Sequence, residues 1–412
     1  MEQEASPITL QGLIQRAVME HPLVQGAAAD VAAGGLDVEA AQRRWWPTVS
    51  AVMESDTGTN SISPSRALQV EQTIWDGGKT SALVDQARAG LTKSEANALW
   101  QKQQLALQVA KSWQDLIGAR DKILIAEATL ERLHDYEQQM RRRVAANASP
   151  AIDLELILSR TRQTEVDLSA AHSSLRIAAQ RLEQLSGIAR LDARTGELPT
   201  WPLPKLVHYL SASLVDADYA ALAKASPAVQ VAKGETDIVN ARLEAKRAEQ
   251  YPTAYVRLNQ PIGDPAPSRG LDNKLAVYVG VRYTPGAGFA TGVEADAIRQ
   301  RVTAADQSSQ AAYREQYEAM SADREEFVSS AGRLAALGDA VSGAQQVLDS
   351  YSRQFTAGRK SWIDLLNAVR ELSQNQFAQA ESQAAMTGAF YRLQLRQGRL
   401  QLLPNPGRLS YE

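Results

Sequence analysis

Residues Gly78–Val144 read GKTSALVDQARAGLTKSEANALWQKQQLALQVAKSWQDLIGARDKILIAEATLERLHDYEQQMRRRV, 67 residues without a proline and with only Gly90 and Gly118 as interior glycines. Apolar side chains recur at Leu105, Val109, Trp113, Leu116, Ile123, Leu130, Leu133, Met140 and Val144. Steps of three, four and seven keep them on one side of a helix. A single helix of this length would reach roughly 100 Å, more than a compact domain needs. So long a stripe requires partner helices, because alone it would stay wet. Gly288–Phe355 is a second proline-free stretch of matching length. The rest of the chain must explain two equal rods.

Composition narrows the function. Among 412 residues, 44 basic and 47 acidic side chains are interspersed, for a net charge of −3. No basic face dominates, which argues against nucleic acid as partner. The chain has no cysteine, so thiolate zinc sites and disulfides are excluded. The lack of cysteine also suits export into an oxidising compartment. His21, His134, His172 and His208 are too scattered for a metal cluster, and no cofactor is expected. No nucleophile–base pair, phosphate loop or metal spacing points to an enzyme. No apolar run of about 20 residues is present to span a membrane as a helix. Met1-Glu2-Gln3-Glu4 lacks a basic or apolar leader, so a signal peptide is expected to be absent or already removed.

The chain repeats itself. His21-Pro22-Leu23-Val24-Gln25 matches Ser226-Pro227-Ala228-Val229-Gln230, and Trp46-Pro47-Thr48 matches Tyr251-Pro252-Thr253. Trp75-Asp76-Gly77-Gly78 faces Pro285-Gly286-Ala287-Gly288, and Ile152-Asp153-Leu154 faces Ile363-Asp364-Leu365. Two copies of one supersecondary unit account for this. The first repeat is placed at 8–187, an equatorial linker at 188–215, the second repeat at 216–400, and a tail at 401–412. Each repeat is expected to run helix, strand, strand, long helix, turn and return helix. The opening helices are read as Leu10–Trp45 and Tyr219–Gln250, each ended by proline at Pro47 or Pro252. The long helices are read at 78–146 and 288–355, and the return helices at 150–185 and 361–400.

Four short segments alternate with period two. Leu275, Val277, Val279, Val281 and Tyr283 share one face, while Tyr278, Gly280, Arg282 and Thr284 share the other. Similar alternation places strands at about 254–260, 68–75 and, more weakly, 48–55. One face is apolar; the other carries Glu71, Arg257 and Arg282 and should be wet. The polar stretches Asp56–Arg66 and Gln260–Lys274 resemble the outer loops of membrane barrels. Four strands cannot close a barrel, and an open edge in lipid leaves backbone groups unpaired. Three copies would supply about twelve strands, within the range of closed barrels. The expected fold is therefore α+β and mostly α. Long antiparallel helices form a trimeric α-barrel, and each chain gives four strands to a shared 12-stranded transmembrane β-barrel.

Taken together, the duplicated order and these local motifs resemble the TolC family of outer-membrane channels over about residues 8–400. The resemblance implies a homotrimer in the bacterial outer membrane that extends into the periplasm and touches outer-membrane lipid. It implies a passive exit duct, for drug efflux or type I protein secretion, with a lean toward secretion on the family's breadth. Its implied partners are a periplasmic adaptor (membrane fusion) protein and an inner-membrane ABC or proton-driven transporter. The alternative is a soluble coiled-coil scaffold, which explains the rods but not the strands.

A duct needs a closable mouth rather than a catalytic group, and both turns lie at the end expected to be far from the barrel. Asn147 and Gly358 suit a left-handed residue after a long helix, and Pro150 suits the start of the return helix. Asp153 and Asp364 follow in the first turn, where they either complement the helix dipole or build a charged ring at the mouth. The resemblance implies that Asp364 lines the periplasmic constriction, with a second ring position one turn later that is neutral here, Asn367. It also implies a latch from Arg359 to Asp153. An assisting tyrosine of the family is Phe355 here, so its hydroxyl contact is missing. Lys360 completes the tip surface offered to an adaptor. Trp45, Trp46 and Tyr251, where helix meets strand, are expected at the membrane interface or in corner packing.

Overall fold

The computed structural model describes residues 9–56, 63–188, 217–262, 274–284 and 286–398. Almost all of the expected linker at 188–215 and the tail at 401–412 lie outside these residues, as do most of the two expected outer loops. The first half runs α1 (Leu10–Glu20), α2 (Pro22–Gln42), β1 (Thr48–Asp56), β2 (Ser63–Trp75), α3 (Lys79–Ala145) and α4 (Ala151–Ser186). The second runs α5 (Tyr219–Ala225), α6 (Pro227–Ala248), β3 (Thr253–Pro261), β4 (Ala276–Arg282), α7 (Ala290–Thr356) and α8 (Trp362–Arg396). Helices and a small sheet give the α+β, mostly α class expected from the sequence.

The opening helices differ from expectation, because each is broken. His21 and Ser226 are extended, at φ −68°, ψ 134° and φ −61°, ψ 146°. Proline follows each. Its ring disfavours helical backbone at the preceding residue, and its missing N–H is tolerated only in the first turn of the next helix. His21 Nδ1 accepts from the backbone N–H of Leu23 at 3.2 Å, which replaces part of the lost cap. Strand β2 also begins earlier than the alternation suggested, at Ser63 rather than near Leu68.

The chain divides into two compact units: one of Met1–Gln25, Gln101–Ser226 and Gln316–Glu412, the other of Gly26–Trp100 and Pro227–Glu315. In the first, the stripe of α3 is the buried face. Leu105, Val109, Trp113 and Leu116 pack with Leu10, Leu13 and Ile14 of α1 and with Leu175, Ala178 and Leu182 of α4. Further along the same helix, Leu133 and Met140 join Ile157, Phe355, Trp362 and Leu365 in a second cluster.

The other unit holds the sheet, with order β1-β2-β3-β4 and every pairing antiparallel. Its helices approach closely. A Cβ at Gly234 of α6 would stand 2.7 Å from Lys93 Cβ and 3.0 Å from its Cα, so the two backbones can meet only at glycine.

Candidate functional site

The register sets the chemistry of the sheet. Val49 faces Val70, Ala51 faces Leu68, Val70 faces Leu258, and Leu258 faces Val277. Val256 and Val279 face one another in the same layer. This face is apolar and open: Val279 is 83% exposed and Val49 and Met53 are each 64% exposed. The opposite face carries Gln69, Glu71, Tyr255, Arg257, Asn259 and Arg282. A two-faced sheet with its apolar side uncovered fits lipid outside and water within.

Where strand meets helix, Trp45, Trp46 and Tyr251 are all exposed, Trp46 by 73%. Trp75 and Tyr283 are exposed at neighbouring strand ends, and Phe289 is exposed in the turn that leads into α7. They extend the aromatic set beyond the three residues singled out from the sequence, and their position at strand ends or in the turn beyond was a usable signal. Trp75 meets Tyr251 edge to face at 6.3 Å between ring centres. Between them the chain turns at Gly77, whose φ is +67° and whose Cβ would lie 2.9 Å from Tyr251 Cβ. Both conformation and space demand glycine there.

Asp76 caps α3. It accepts from Gly78 N at 3.0 Å, from Thr80 N at 2.8 Å and from Thr80 Oγ1 at 2.5 Å, which satisfies donors that the helix start leaves open. Nearby, Glu249 pairs with Lys79 and Lys246, both at 2.8 Å, and Lys246 also reaches Glu294 at 2.5 Å. Burial pushes the Glu249 carboxyl up, but hydrogen bonds from Lys246 and Lys79 outweigh it and hold its pKa below the ordinary value. Its contribution to stability is therefore full above the unfolded value of 4.5 and is lost as pH falls through the lower folded value. The hydrogen bond to Glu249, then that to Glu294, holds the Lys246 ammonium above its usual range.

Both tips end in the same backbone motif. Asn147 and Gly358 are left-handed, with φ of 57° and 72°. Ala148 N donates to Arg143 O and Arg359 N to Gln354 O, each at 2.8 Å. Asn147 N donates to Val144 O and Gly358 N to Phe355 O, each at 3.0 Å. These paired bonds close the long helices α3 and α7 in Schellman fashion. Pro150 then stands at the N-cap of α4, and Ser361 at that of α8.

Trp362 joins the two tips, a role the sequence reading did not assign. Its indole Nε1 donates to the backbone oxygen of Asp153 at 3.0 Å. Its ring packs 5.0 Å from Phe355 and 6.0 Å from Tyr136. Phe355 is itself buried, with the Arg143 guanidinium 4.8 Å from its ring centre. Its ring is part of the packing cluster that joins the two tips. Aromatics flanking both turns were the available signal.

The charged tip residues divide. Asp364 accepts from Ser361 Oγ at 2.7 Å, and its own N–H donates to that hydroxyl at 3.2 Å, a reciprocal cap. Lys360 lies 3.5 Å from the same carboxylate and 4.3 Å from the centre of the Tyr351 ring. The Ser361 hydrogen bond, with help from Lys360, holds the Asp364 carboxyl below its ordinary pKa. Desolvation works against the Lys360 ammonium, but Asp364 and Tyr351 outweigh it and raise its pKa. Asn367 is exposed one turn on from Asp364. Among the described residues of one chain, Arg359 and Asp153 form no ion pair. Ile152 and Ile363, equivalent positions of the two repeats, are exposed by 70% and 56%.

Comparison with known proteins agrees with this architecture. Residues 13–188 match the outer membrane efflux protein family. The cobalt-zinc-cadmium resistance protein CzcC of Cupriavidus metallidurans is 24% identical over 371 residues, 86% of this chain and 84% of that protein. The outer membrane efflux protein BepC of Brucella suis biovar 1 is 21% identical over 406 residues, 97% of this chain and 87% of that protein. Among solved structures, the outer-membrane channel OprN superposes with a TM-score of 0.73 at 17% identity, covering 94% of this chain and 89% of OprN. The outer membrane protein VceC from Vibrio cholerae superposes with a TM-score of 0.73 at 16% identity, covering 94% of this chain and 96% of VceC. Over residues 13–188 the chain is thus similar to the outer membrane efflux protein family, and along most of its length it has the fold of these outer-membrane channels.

Proposed function

We propose that three copies of this chain close into one pore through the outer membrane and serve as the exit duct of an efflux assembly. The observation that carries this reading is the sheet. Four strands present an exposed apolar face and a polar face, with β1 and β4 as edges. In lipid each edge would leave backbone groups without partners. Pairing β4 of one copy with β1 of the next removes both edges. Three copies then give about twelve strands, enough for a water-filled lumen. The exposed aromatics at the strand ends suit the border between lipid and water. A soluble scaffold would leave the apolar face in water.

The tips are the proposed gate and docking surface. Asn147–Pro150 and Gly358–Lys360 are capped turns, and the exposed Ile152 and Ile363 give each an apolar knob. A periplasmic adaptor would meet them and join the duct to an inner-membrane pump. Efflux is the class that the relatives' names support, and no observation favours protein secretion over it. Since one chain leaves Arg359 and Asp153 apart, the latch is proposed between neighbouring copies. Asp364 shares its charge with Lys360 and Asn367 is neutral, so the constriction should bind multivalent cations weakly.

Planar-bilayer recording tests the gate. Asp153→Ala and Arg359→Ala should each raise single-channel conductance. The double variant should gain no more than the larger single effect, because both remove one interaction. Unchanged conductance in both single variants would sink the latch while leaving the pore intact.

A further inference from the structure

The polar face of the sheet carries a charge cluster that neither gate nor lipid contact requires. Glu71 Oε2 accepts from Arg257 Nε at 2.9 Å and Nη2 at 2.6 Å. Arg282 reaches the two oxygens of the same carboxylate at 3.3 Å each. One carboxylate thus faces two guanidinium groups. Tyr255 supports both, with Arg282 4.7 Å and Arg257 5.1 Å from its ring centre, within cation–π range. The ring can lie there because Gly280 is opposite: a Cβ at that position would stand 2.7 Å from Tyr255 Cζ and Oη. Bare backbone on β4 therefore makes room for an aromatic platform that positions two cations.

The cluster is local. Arg257 is directly opposite Glu71, and Arg282 is the last residue of β4, opposite the first residue of β3. It occupies the end of the sheet where the strands connect to helices. Farther along the polar face the described side chains, such as Ser50, Gln69 and Asn259, are uncharged. Among the strand residues whose side chains are described, the formal charge of this face is two cations against one anion, at one level. Arg282 is the accessible member, with 49% of its side chain exposed and only long contacts to Glu71.

Resting on the three-copy pore proposed above, we propose that Arg257 and Arg282, framed by Glu71 and Tyr255, form a cationic selectivity ring in the barrel lumen that favours anionic solutes. A twelve-stranded barrel with strands about 4.8 Å apart and tilted about 40° is roughly 24 Å across at the backbone. After side chains, its free radius is comparable with the Debye length of about 8 Å at physiological salt. A ring on the wall is therefore felt at the axis. Guanidinium groups match carboxylate and phosphate oxygens in shape as well as charge, so cargo bearing those groups is the class the ring would accept. Bare divalent cations would be disfavoured, which separates this chain from a relative named for cobalt, zinc and cadmium resistance.

The test is the chloride-to-potassium permeability ratio of the purified full chain, from reversal potentials in planar bilayers under a salt gradient. Arg282→Gln should lower the ratio by about twofold or more, and Glu71→Gln should raise it, since charge is removed with opposite sign at one level. Arg282→Lys should stay close to wild type. Inorganic pyrophosphate should reduce the wild-type potassium chloride current, with the block relieved by added salt; this arm needs no variant. Normal pores with an unchanged ratio in both charge variants and no pyrophosphate block would overturn the ring alone. Absence of pores from the wild-type protein would overturn the pore reading and the ring with it.

Discussion

Trp362→Ala is expected to loosen both tips at once, with a local cost of about 3–5 kcal/mol, the usual range for truncating a buried tryptophan. Trp362 is 4% exposed. Its loss opens a cavity against Phe355 and Tyr136 and leaves the Asp153 carbonyl without its indole donor. Hydrogen exchange should accelerate around Val144–Leu154 and Phe355–Leu365 and change little in the sheet, because stability here is local. Single-channel conductance should rise if these tips close the mouth. Trp362→Phe separates the contributions: it keeps most of the packing and removes the N–H, so its effect should be clearly smaller. Equal exchange in wild type and Trp362→Ala would show that the two tips are held by something else.

Asp323→Ala should cost about 3 kcal/mol, by leaving buried cations under-compensated. The Asp323 side chain is 9% exposed and accepts from Arg392 Nε at 2.6 Å and Arg396 Nε at 2.7 Å. Arg392 also donates to Glu326 at 2.5 Å and to Gln114 Oε1 at 3.0 Å. Gly388 admits that last contact, since a Cβ there would stand 1.9 Å from Gln114 Oε1. The network ties α8 to both long helices. Chemical denaturation followed by tryptophan fluorescence should show a lower midpoint for Asp323→Ala. Adding Arg396→Met should recover part of the loss, because it removes a cation the first change stranded. Strictly additive losses would mean that the charges act independently.

The parts of the fold legible in the sequence were those carried by local pattern. Proline-free stripes of matching length identified α3 and α7, because an apolar stripe has one way to become dry. Period-two alternation identified the strands, and duplication confirmed their order. The breaks at His21 and Ser226 were legible in principle, since proline follows each. The apolar spacing that runs on across the first break, from Ala17 to Val24, hides it. The tips were half legible. Asn147, Pro150 and Gly358 are set by backbone conformation, which sequence reports well. Trp362 acts on Asp153 from the other repeat, and Asp323 finds its arginines in another helix. Such contacts follow from tertiary packing, so in sequence these residues look like interspersed charge and a lone aromatic. The packing of the Phe355 ring against Trp362 is hidden in the sequence for the same reason.

The most direct test of the central claim is the mass of the detergent-purified complex, measured together with its conductance in planar bilayers. A complex of three chains that gives discrete ion-conducting steps is the predicted result, since only shared strands can close this sheet in lipid. A soluble monomer or dimer that needs no detergent and forms no pores would contradict it, and the exposed face of β1–β4 would then have to be covered by something other than a membrane.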